Sequence, residues 1–208
     1  MITNPHRKMR IKEFTDKDHQ VMDRYYELLD TNLSKKQLKQ EMESLIKEDS
    51  FFFDPYIILA DIFYREKKVE QADELLEQGY DKAVWSIADH KGNWPEEVAW
   101  GWLENRHILR IISRYAYRIW EENKVDEALG IFRRLFQVNT NDNQGIRYAI
   151  LAIRLGLDSD WDLKFWGEYK GQVLGLDAQK VDSWFEQNSK KFPEEFTAWF
   201  KQMEEYEG

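Results

Sequence analysis

Two clusters of charged and amide side chains are the parts of this sequence whose residue types could do chemistry. The first is the run 104–106 followed by Arg110, and the second is the run 141–144 followed by Arg147 and Tyr148. A guanidinium group donates two parallel hydrogen bonds to a carboxylate, so each cluster can bind a carboxylate ligand or pair with an acid of the same chain. These residue types therefore indicate recognition of a carboxylate.

Composition and motifs disfavour a catalytic protein. The chain has no cysteine, which excludes disulfides, thiolate metal sites and thiol nucleophiles. Its histidines (His6, His19, His90 and His107) show no metal-ligand spacing. No glycine-rich phosphate loop, nucleophile elbow or kinase signature is present, and the paired carboxylates stand at helix starts or on polar faces. We therefore predict a non-enzymatic protein with no cofactor and no metal.

Charge and hydropathy disfavour two further classes. The net charge is −9, from 30 Lys and Arg against 39 Asp and Glu, and no run of four basic residues offers a local phosphate-binding stripe. Residues 1–14 are basic but lack the apolar core of a secretory signal. No stretch approaches the roughly 18 apolar residues of a membrane span. The sequence predicts a soluble, cytoplasmic protein that binds neither nucleic acid nor a membrane.

Two stretches of the chain are copies of each other and predict paired helices. The first copy places Tyr56, Leu59, Ala60 and Phe63 before Ala72 and Leu76; the second places Ile112, Tyr115, Ala116 and Ile119 before Ala128 and Phe132. All internal spacings agree, and they match the tetratricopeptide pattern W-x2-L-G-x2-Y … A-x3-F. A small residue lets two helices approach closely while large ones fill the space around it. The sequence therefore predicts an all-α, antiparallel helix-pair solenoid with no β-sheet.

Capping signals place the helices that precede and include the first copy. We expect a first helix over about 16–30 and a second after the capping box of Ser34 and Gln37. Asp54 is expected to cap a third helix, with Pro55 at its first position. A fourth helix is expected from Val69 to about residue 88.

A tryptophan-rich insertion separates the two copies. Ala72 and Ala128 are 56 residues apart, whereas a contiguous array would give about 34. The surplus corresponds to 85–106, where Pro95 followed by two glutamates indicates a short extra helix. We predict a helical insertion packed by its tryptophans onto the solenoid. The alternative is that those side chains line an aromatic ligand pocket, which would make the chain a regulator that responds to a small molecule or nucleotide.

The end of the chain is predicted to close the array. Asn141 is expected to cap a helix that ends at Gly156 and forms the first half of a third repeat, and the aromatic region after it is expected to be a helical cap. The predicted divisions of this one continuous domain are 1–53 (N-terminal helix pair), 54–84 (first repeat), 85–106 (insertion), 107–156 (second repeat and half of the third) and 157–208 (C-terminal cap).

The segments around the two clusters resemble a group of bacterial tetratricopeptide-like proteins of unassigned function. That group carries W…L-E-(N/T)-R-P-x-x-R followed by N-P-N-D-N-Q-G-I-R-Y, and this chain has Trp100, the run 103–106 and Arg110, then the octet 141–148. A more distant similarity is to the suppressor of tumorigenicity 7 proteins. The resemblance implies a repeat fold.

The resemblance covers roughly 54–155 and is specific at the octet. The chain departs from the group at His107 and Thr140, where the group tends to have proline. No catalytic residue follows from the resemblance, because none is established for the group.

The clusters have two interpretations, and the first is structural. In the register of the repeats, Arg106 and Arg110 can reach Asp142, and Asn141 with Gln144 forms a capping box. The clusters would then join two repeats through a hub whose members are Asn105, Arg106, Asn141, Asp142 and Asn143.

The second interpretation is a binding groove along the inner faces of the first helices. Arg147 has no carboxylate three or four residues away in either direction, which leaves it available to a ligand. The expected partner is an acidic or carboxylate-ended segment of an unknown protein or peptide, and self-association into a homo-oligomer is an alternative. The candidate groove residues are Arg110, Tyr117, Trp120, Gln144, Arg147 and Arg154, with Ser113 and Leu151 at neighbouring inner positions.

Overall fold

Nine α-helices make up most of the part of the chain that the structure describes, which is residues 19–169 and 172–207 of a computed structural model. Their bounds are α1 His19–Leu29, α2 Lys35–Glu48, α3 Asp54–Arg65, α4 Val69–Ile87, α5 Leu103–Glu121, α6 Val125–Val138, α7 Ile146–Arg154, α8 Ala178–Asn188 and α9 Pro193–Glu207. The prediction of a helical protein is confirmed. The expected start of the first helix, at 16–18, lies outside the described residues.

The helices from α2 to α7 each pack against the next one along the chain, and α3 also contacts α5. The main core runs from α3 through α7 and continues into α8 and α9, and a second apolar cluster joins α1 and α2 to Phe52 and Leu59. Ile46, Phe63 and Leu75 contact both clusters, so the two cores are continuous.

Small residues mark the closest contacts between helices, as the copied pattern predicts. Ala60, Ala72, Ala116 and Ala128 are all fully buried. Gly79 of α4 faces α5, where a Cβ atom would lie 3.0 Å from the Ile111 side chain. The spacing of small and large residues therefore reports a real packing constraint.

The turn after the first helix of each copy has the same left-handed geometry, and it recurs after α7. A left-handed residue ends the helix, and the next backbone N–H donates to a carbonyl five residues back, as in a Schellman motif. The left-handed residues are Lys67 (φ 59°), Asn123 (φ 62°) and Gly156 (φ 72°). The closing bonds are Lys68 to Phe63 (3.0 Å), Lys124 to Ile119 (2.9 Å) and Leu157 to Ala152 (3.0 Å).

Two capping predictions meet different outcomes. Ser34 and Gln37 form the predicted capping box at the start of α2. Asp54 does not cap α3: Phe53 occupies the N-cap position, no side chain caps that end, and Asp54 is the first helical residue. The Asp54 carboxylate is buried and engaged by an arginine of α5, so it is not available to the α3 backbone.

The prediction of a helical insertion is wrong. Residues 88–102 are irregular, and Pro95 does not start a helix. Asp89 holds a turn by accepting hydrogen bonds from the backbone N–H groups of Lys91 (2.8 Å) and Asn93 (2.9 Å). Beyond it Val98 is buried and donates its N–H to the Val138 carbonyl at 2.7 Å. Burial of Val98 and its backbone bond to Val138 hold this stretch against the end of α6 in place of a helix.

The C-terminal cap is not wholly helical either. Between α7 and α8 lies an antiparallel hairpin of β1 Trp166–Tyr169 and β2 Gln172–Leu176, with an irregularity between Gly167 and Glu168. The expectation of no sheet is therefore wrong for this segment. Gly175 of β2 has φ 92°, a conformation that favours glycine.

The alanine positions generate a stability prediction. Replacing Ala60 or Ala116 by tryptophan overpacks a fully buried helix contact and should lower the free energy of unfolding by roughly 1–3 kcal/mol or more. Urea denaturation measures the change, and Gln78→Trp, on the exposed side of α4, is the matched control. Equal losses at all three positions would show that the helix register is wrong.

The left-handed turns generate a second prediction. Lys67→Gly should raise the free energy of unfolding by up to about 1 kcal/mol, because a side chain with Cβ is strained at positive φ. Asn123→Gly should raise it less, since asparagine tolerates this conformation. Gly156→Ala should lower it. Thermal melts of the three variants measure the order, and a loss of stability in Lys67→Gly would contradict the assigned turn geometry.

Candidate functional site

Three arginines at four-residue intervals lie along one face of α5, and each pairs with an aspartate of α3 or α4. We call them the arginine row: Arg110, Arg114 and Arg118. Residues four apart are neighbours on a helix surface, so the spacing alone could have revealed the row. The sequence did not reveal the aspartates, which lie 45 to 56 residues away in the chain.

Arg110 forms the most buried pair of the row. Its Nε donates to Asp54 Oδ1 at 2.8 Å, and its guanidinium also contacts Asp54 Oδ2 and the Tyr26 hydroxyl. The expected pairing of Arg110 with Asp142 is wrong. Because α3 packs directly on α5, the buried Asp54 carboxylate lies opposite Arg110, and a buried carboxylate requires a cationic partner. Arg110 is therefore a structural residue.

Arg118 is also fully engaged. Its Nε and Nη2 donate to the two oxygens of Asp73 at 2.5 and 2.9 Å, and it pairs with Glu121 and Glu122 as well. The Tyr64 hydroxyl donates to the same aspartate at 2.5 Å. The Arg118 hydrogen bonds lower the pKa of Asp73. Burial, and then the bond to Asp73, raises the pKa of the Tyr64 hydroxyl, so it remains a donor.

Arg114, between the other two, is only partly satisfied. Its Nη2 donates to Asp61 Oδ1 at 3.1 Å, and its guanidinium lies 5.7 Å from the centre of the Tyr64 ring. Among the described residues its Nε and Nη1 atoms have no hydrogen-bond partner. The side chain is 27% exposed, and that of Asp61 is 41% exposed. Arg114 therefore retains donors that a ligand can reach.

A cleft of about 510 Å³ lies over this part of the row, between α3 and α5. Arg65, at the end of α3, is exposed at its edge. Three of the lining side chains are arginines and two are acids, so the cleft carries a small positive excess on a chain whose net charge is −9. The lining residues are Asp61, Tyr64, Arg65, Val69, Arg114, Arg118 and Glu121.

The octet 141–148 is a capping device centred on Asp142. This side chain is fully buried and accepts hydrogen bonds from the backbone N–H groups of Ile146 (2.6 Å) and Arg147 (3.2 Å), at the start of α7. The predicted capping box of Asn141 with Gln144 is wrong. Asn141 is exposed, and Gln144 Oε1 is buried without a partner. Asn143 is exposed as well.

Arg147, the sequence's leading candidate for ligand binding, is occupied. Its Nη1 contacts Asp142 Oδ2 at 2.7 Å, and its Nη2 contacts Asp182 of α8 at 3.1 Å and the Tyr148 hydroxyl. The side chain is only 16% exposed. Asp142 lies five residues back, outside the helical spacings considered above, because the turn before α7 folds it over the helix end. Burial raises the pKa of Asp142, although Arg147 and the backbone N–H groups oppose this.

The other groove candidates on α5 and α7 are covered. Leu151 and Trp120 are buried, and the Tyr117 ring packs edge-on against Phe132 at 5.0 Å. Burial raises the pKa of the Tyr117 hydroxyl. Arg154 pairs with two glutamates of α9. The predicted groove is thus closed, and the accessible α3–α5 cleft is a different site, lined by none of the predicted groove residues.

The first cluster ties the insertion to the start of α5. Asn105 is buried and its Nδ2 donates to the Ala99 carbonyl at 2.9 Å. Arg106 Nε donates to the Trp100 carbonyl at 2.9 Å, and its guanidinium lies 5.5 Å from the centre of that indole ring. The expected contact of Arg106 with Asp142 is not formed. His107 is buried and its Nδ1 accepts the Phe53 N–H at 3.2 Å, which accounts for a residue other than proline here.

The insertion's tryptophans do not converge on one pocket. Trp85 is 73% exposed and lies beside Phe51, with ring centres 5.5 Å apart. Trp94 lies under the guanidinium of Arg134, while Trp100 lies under the arginines at the start of α5. In the described part of the chain, no group of three or more His, Cys, Asp or Glu side chains is arranged to hold a metal ion. No helix there combines the length and apolar character needed to cross a bilayer.

Comparisons with known proteins add no assignment. No family model, no curated protein and no solved structure matches this chain.

The octet generates a prediction that separates a structural Arg147 from a ligand-binding one. Arg147→Ala leaves the buried Asp142 carboxylate without its cation, which should lower the free energy of unfolding by roughly 3 kcal/mol or more. Asn143→Ala, at an exposed site two residues from Gly145, is the control and should change little. A melting temperature unchanged in Arg147→Ala would contradict the structural role.

Proposed function

We propose that this chain is a tetratricopeptide-like adaptor without enzymatic activity, which binds an acidic or carboxylate-ended segment of a protein partner in the α3–α5 cleft. The single observation that carries the proposal is Arg114. Two of its donor atoms, Nε and Nη1, have no hydrogen-bond partner among the described residues, and it lies over an aromatic ring in an accessible cleft.

The repeat assignment is supported by the recurrence of one local geometry. The turns at Lys67, Asn123 and Gly156 have the same handedness and the same closing bond, and the buried alanines occupy matching positions of the first two copies. Repeats of helix pairs bury their apolar faces against one another, and they present the first helices of successive repeats on a common face. In this proposal α3, α5 and α7 are the first helices.

The chemistry of the cleft favours a carboxylate on a polypeptide. Arg114 can bind a carboxylate through a fork of hydrogen bonds that uses the second hydrogen of Nη2 together with Nε or Nη1, and Tyr64 offers a flat surface to an adjacent side chain. Asp61 and Glu121 also line the cleft and would repel a dense polyanion, which argues against nucleic acid. A ligand with one or two carboxylates and neutral or basic neighbours fits this mixture of charges.

A small-molecule regulator is the second candidate, and a specific observation favours its location. A cleft of about 380 Å³ between the insertion and α6 is lined by Trp94 and Arg134, and the Trp94 indole N–H is buried without a hydrogen-bond partner. An exposed guanidinium beside an unpaired indole N–H suits a small anion, because both groups donate hydrogen bonds. The dispersal of the other tryptophans makes this hypothesis weaker than the adaptor.

The adaptor proposal is tested with a displayed library of random peptides that have free C-termini. Selection against the intact chain should enrich aspartate, glutamate or terminal carboxylates, and synthetic versions of the enriched peptides should bind in a fluorescence anisotropy titration that weakens with salt. Arg114→Ala should weaken binding by about tenfold or more, since a charged hydrogen bond contributes about 1.5–3 kcal/mol. Its melting temperature should change little, because Arg114 has only one exposed ion pair.

The matched control is Arg134→Ala, which removes one exposed positive charge outside the cleft. It should retain full peptide binding. Peptides that bind Arg114→Ala as tightly as the unchanged chain, or a selection that enriches no acidic sequences, would refute the proposal. Loss of binding in Arg134→Ala, with binding retained in Arg114→Ala, would place the site at the insertion instead.

A further inference from the structure

The middle pair of the arginine row is open, whereas the pairs at its two ends are closed. At each end the guanidinium group contacts both oxygens of its aspartate. In the middle, a single hydrogen bond of 3.1 Å joins Arg114 Nη2 to Asp61 Oδ1. Asp61 Oδ2 has no hydrogen-bond partner among the residues that the structure describes. The open pair therefore keeps an unused acceptor beside the unused donors of the arginine.

Both members of the open pair line the α3–α5 cleft and are accessible. The Asp61 side chain is 41% exposed and that of Arg114 is 27% exposed. Each can therefore take a second counter-ion without first breaking the bond between them. A ligand that carries an acid alone would satisfy only Arg114, and it would bring its carboxylate close to that of Asp61, where like charges repel.

A ligand that carries both charges satisfies the open pair on both sides. Its carboxylate accepts hydrogen bonds from the free donors of Arg114, and its cationic side chain donates to Asp61. The four groups then alternate in sign, so that every charge has opposite charges as its nearest neighbours. Such an arrangement gives specificity, because a ligand without the base leaves the repulsion by Asp61 in place.

The contact between Asp61 and Arg114 also sets the spacing of the two charges on a polypeptide ligand. Helices α3 and α5 contact each other, so an extended segment fits the cleft between them better than a helix, which is about 10–12 Å across with its side chains. In an extended segment, residues two apart lie on one face, about 6.6–6.8 Å from each other, whereas adjacent residues point to opposite sides. An acid and a base two residues apart can therefore reach the two members of the open pair.

Glu121, the other acid of the cleft, is not placed to bind the same base. It already pairs with Arg118 at 3.3 Å. It lies seven residues beyond Arg114 on α5, which is about 10.5 Å along the helix axis. A base two residues from an acid on Arg114 therefore meets Asp61 first. The Glu121 side chain is 45% exposed, close to the value for Asp61, which makes it a matched control.

We propose that the polypeptide bound in the α3–α5 cleft carries an acid and a lysine or arginine two residues apart, with the acid on Arg114 and the base on Asp61. This inference rests on the proposed adaptor function and names the sequence pattern of its partner. Asp61 is then the residue that selects for the base. The net charge of the chain is −9, so a base next to the acid also reduces the overall repulsion of the ligand.

The first test repeats the selection of displayed random peptides with the unchanged chain, with Asp61→Asn and with Glu121→Gln. Each substitution removes one exposed negative charge from the cleft and preserves the shape of the side chain. The unchanged chain should enrich lysine or arginine two residues from the required acid. Asp61→Asn should lose this enrichment of the base, although its amide oxygen still accepts from Arg114, and Glu121→Gln should keep it. The acid should be enriched with all three.

The second test measures the effect of the base in solution. An enriched peptide is compared by fluorescence anisotropy with one version in which the base is replaced by glutamine and another in which the base is moved by one residue. Both changes should weaken binding to the unchanged chain and to Glu121→Gln by about two- to fivefold, the effect of an exposed ion pair. Neither change should weaken binding to Asp61→Asn, because the coupled group is then absent.

Three outcomes would overturn the inference and leave the adaptor function standing. They are a selection of acids with no base at this spacing, an equal loss with Asp61→Asn and with the unchanged chain, and disappearance of the base effect in Glu121→Gln alone. A selection that enriches no acid refutes the adaptor function and this inference with it. The peptide with the moved base tests the spacing on the unchanged chain, so the result does not depend on the folding of either variant.

Discussion

The middle of helix α7, residues 149–153, is apolar on all of its faces, and covering it is the constraint on which the arrangement of the second half of the chain depends. Residues 149–153 make more than a full turn, and every one of them is buried. A helix of this kind is stable only when other elements enclose it. Helix α6 packs against part of its surface, and α8 and α9 contact it from the C-terminal side. The apolar pattern that predicted this helix therefore also indicated that other elements must cover it.

The elements that cover α7 bring acids to the arginines for which the sequence predicted a binding partner. Asp182 reaches Arg147, and the glutamates at the start of α9 reach Arg154. A guanidinium group in a partly dry site needs a carboxylate, and here the chain provides it from within. The same rule operates on α5, where Asp54 and Asp73 satisfy the ends of the arginine row. Most arginines of the predicted groove are therefore structural.

How far the sequence predicts this structure depends on the range over which each feature is determined. The capping box of Ser34 and the buried alanines follow from residues within a few positions of one another, and they are as predicted. The pair of Arg110 with Asp54 depends on α3 packing against α5, 56 residues away. Local spacing contains no information about that contact, and the assumed register of the repeats suggested Asp142 instead.

The predictions for the insertion and for the hairpin segment are wrong for a related reason. Pro95 and the glutamates after it satisfy the local rules for a helix start, but Val98 gains more from burial and from a backbone bond to Val138 than from coiling. Tertiary contacts override weak helix propensity in such short segments. The hairpin over 166–176 has glycines at 167, 171 and 175, which are poor helix residues. The prediction of a helical cap rested instead on the aromatic content of this region.

The degree to which each arginine is satisfied is what separates a binding role from a structural one. A partner carboxylate that approached Arg147 would have to displace a buried acid and leave it unpaired, at a cost that a surface contact does not recover. At Arg114 the same approach displaces nothing, because the pair with Asp61 uses a single donor and both side chains face solvent. The proposed acidic ligand is therefore expected to bind where an accessible arginine keeps unpaired donors, which is the cleft between α3 and α5.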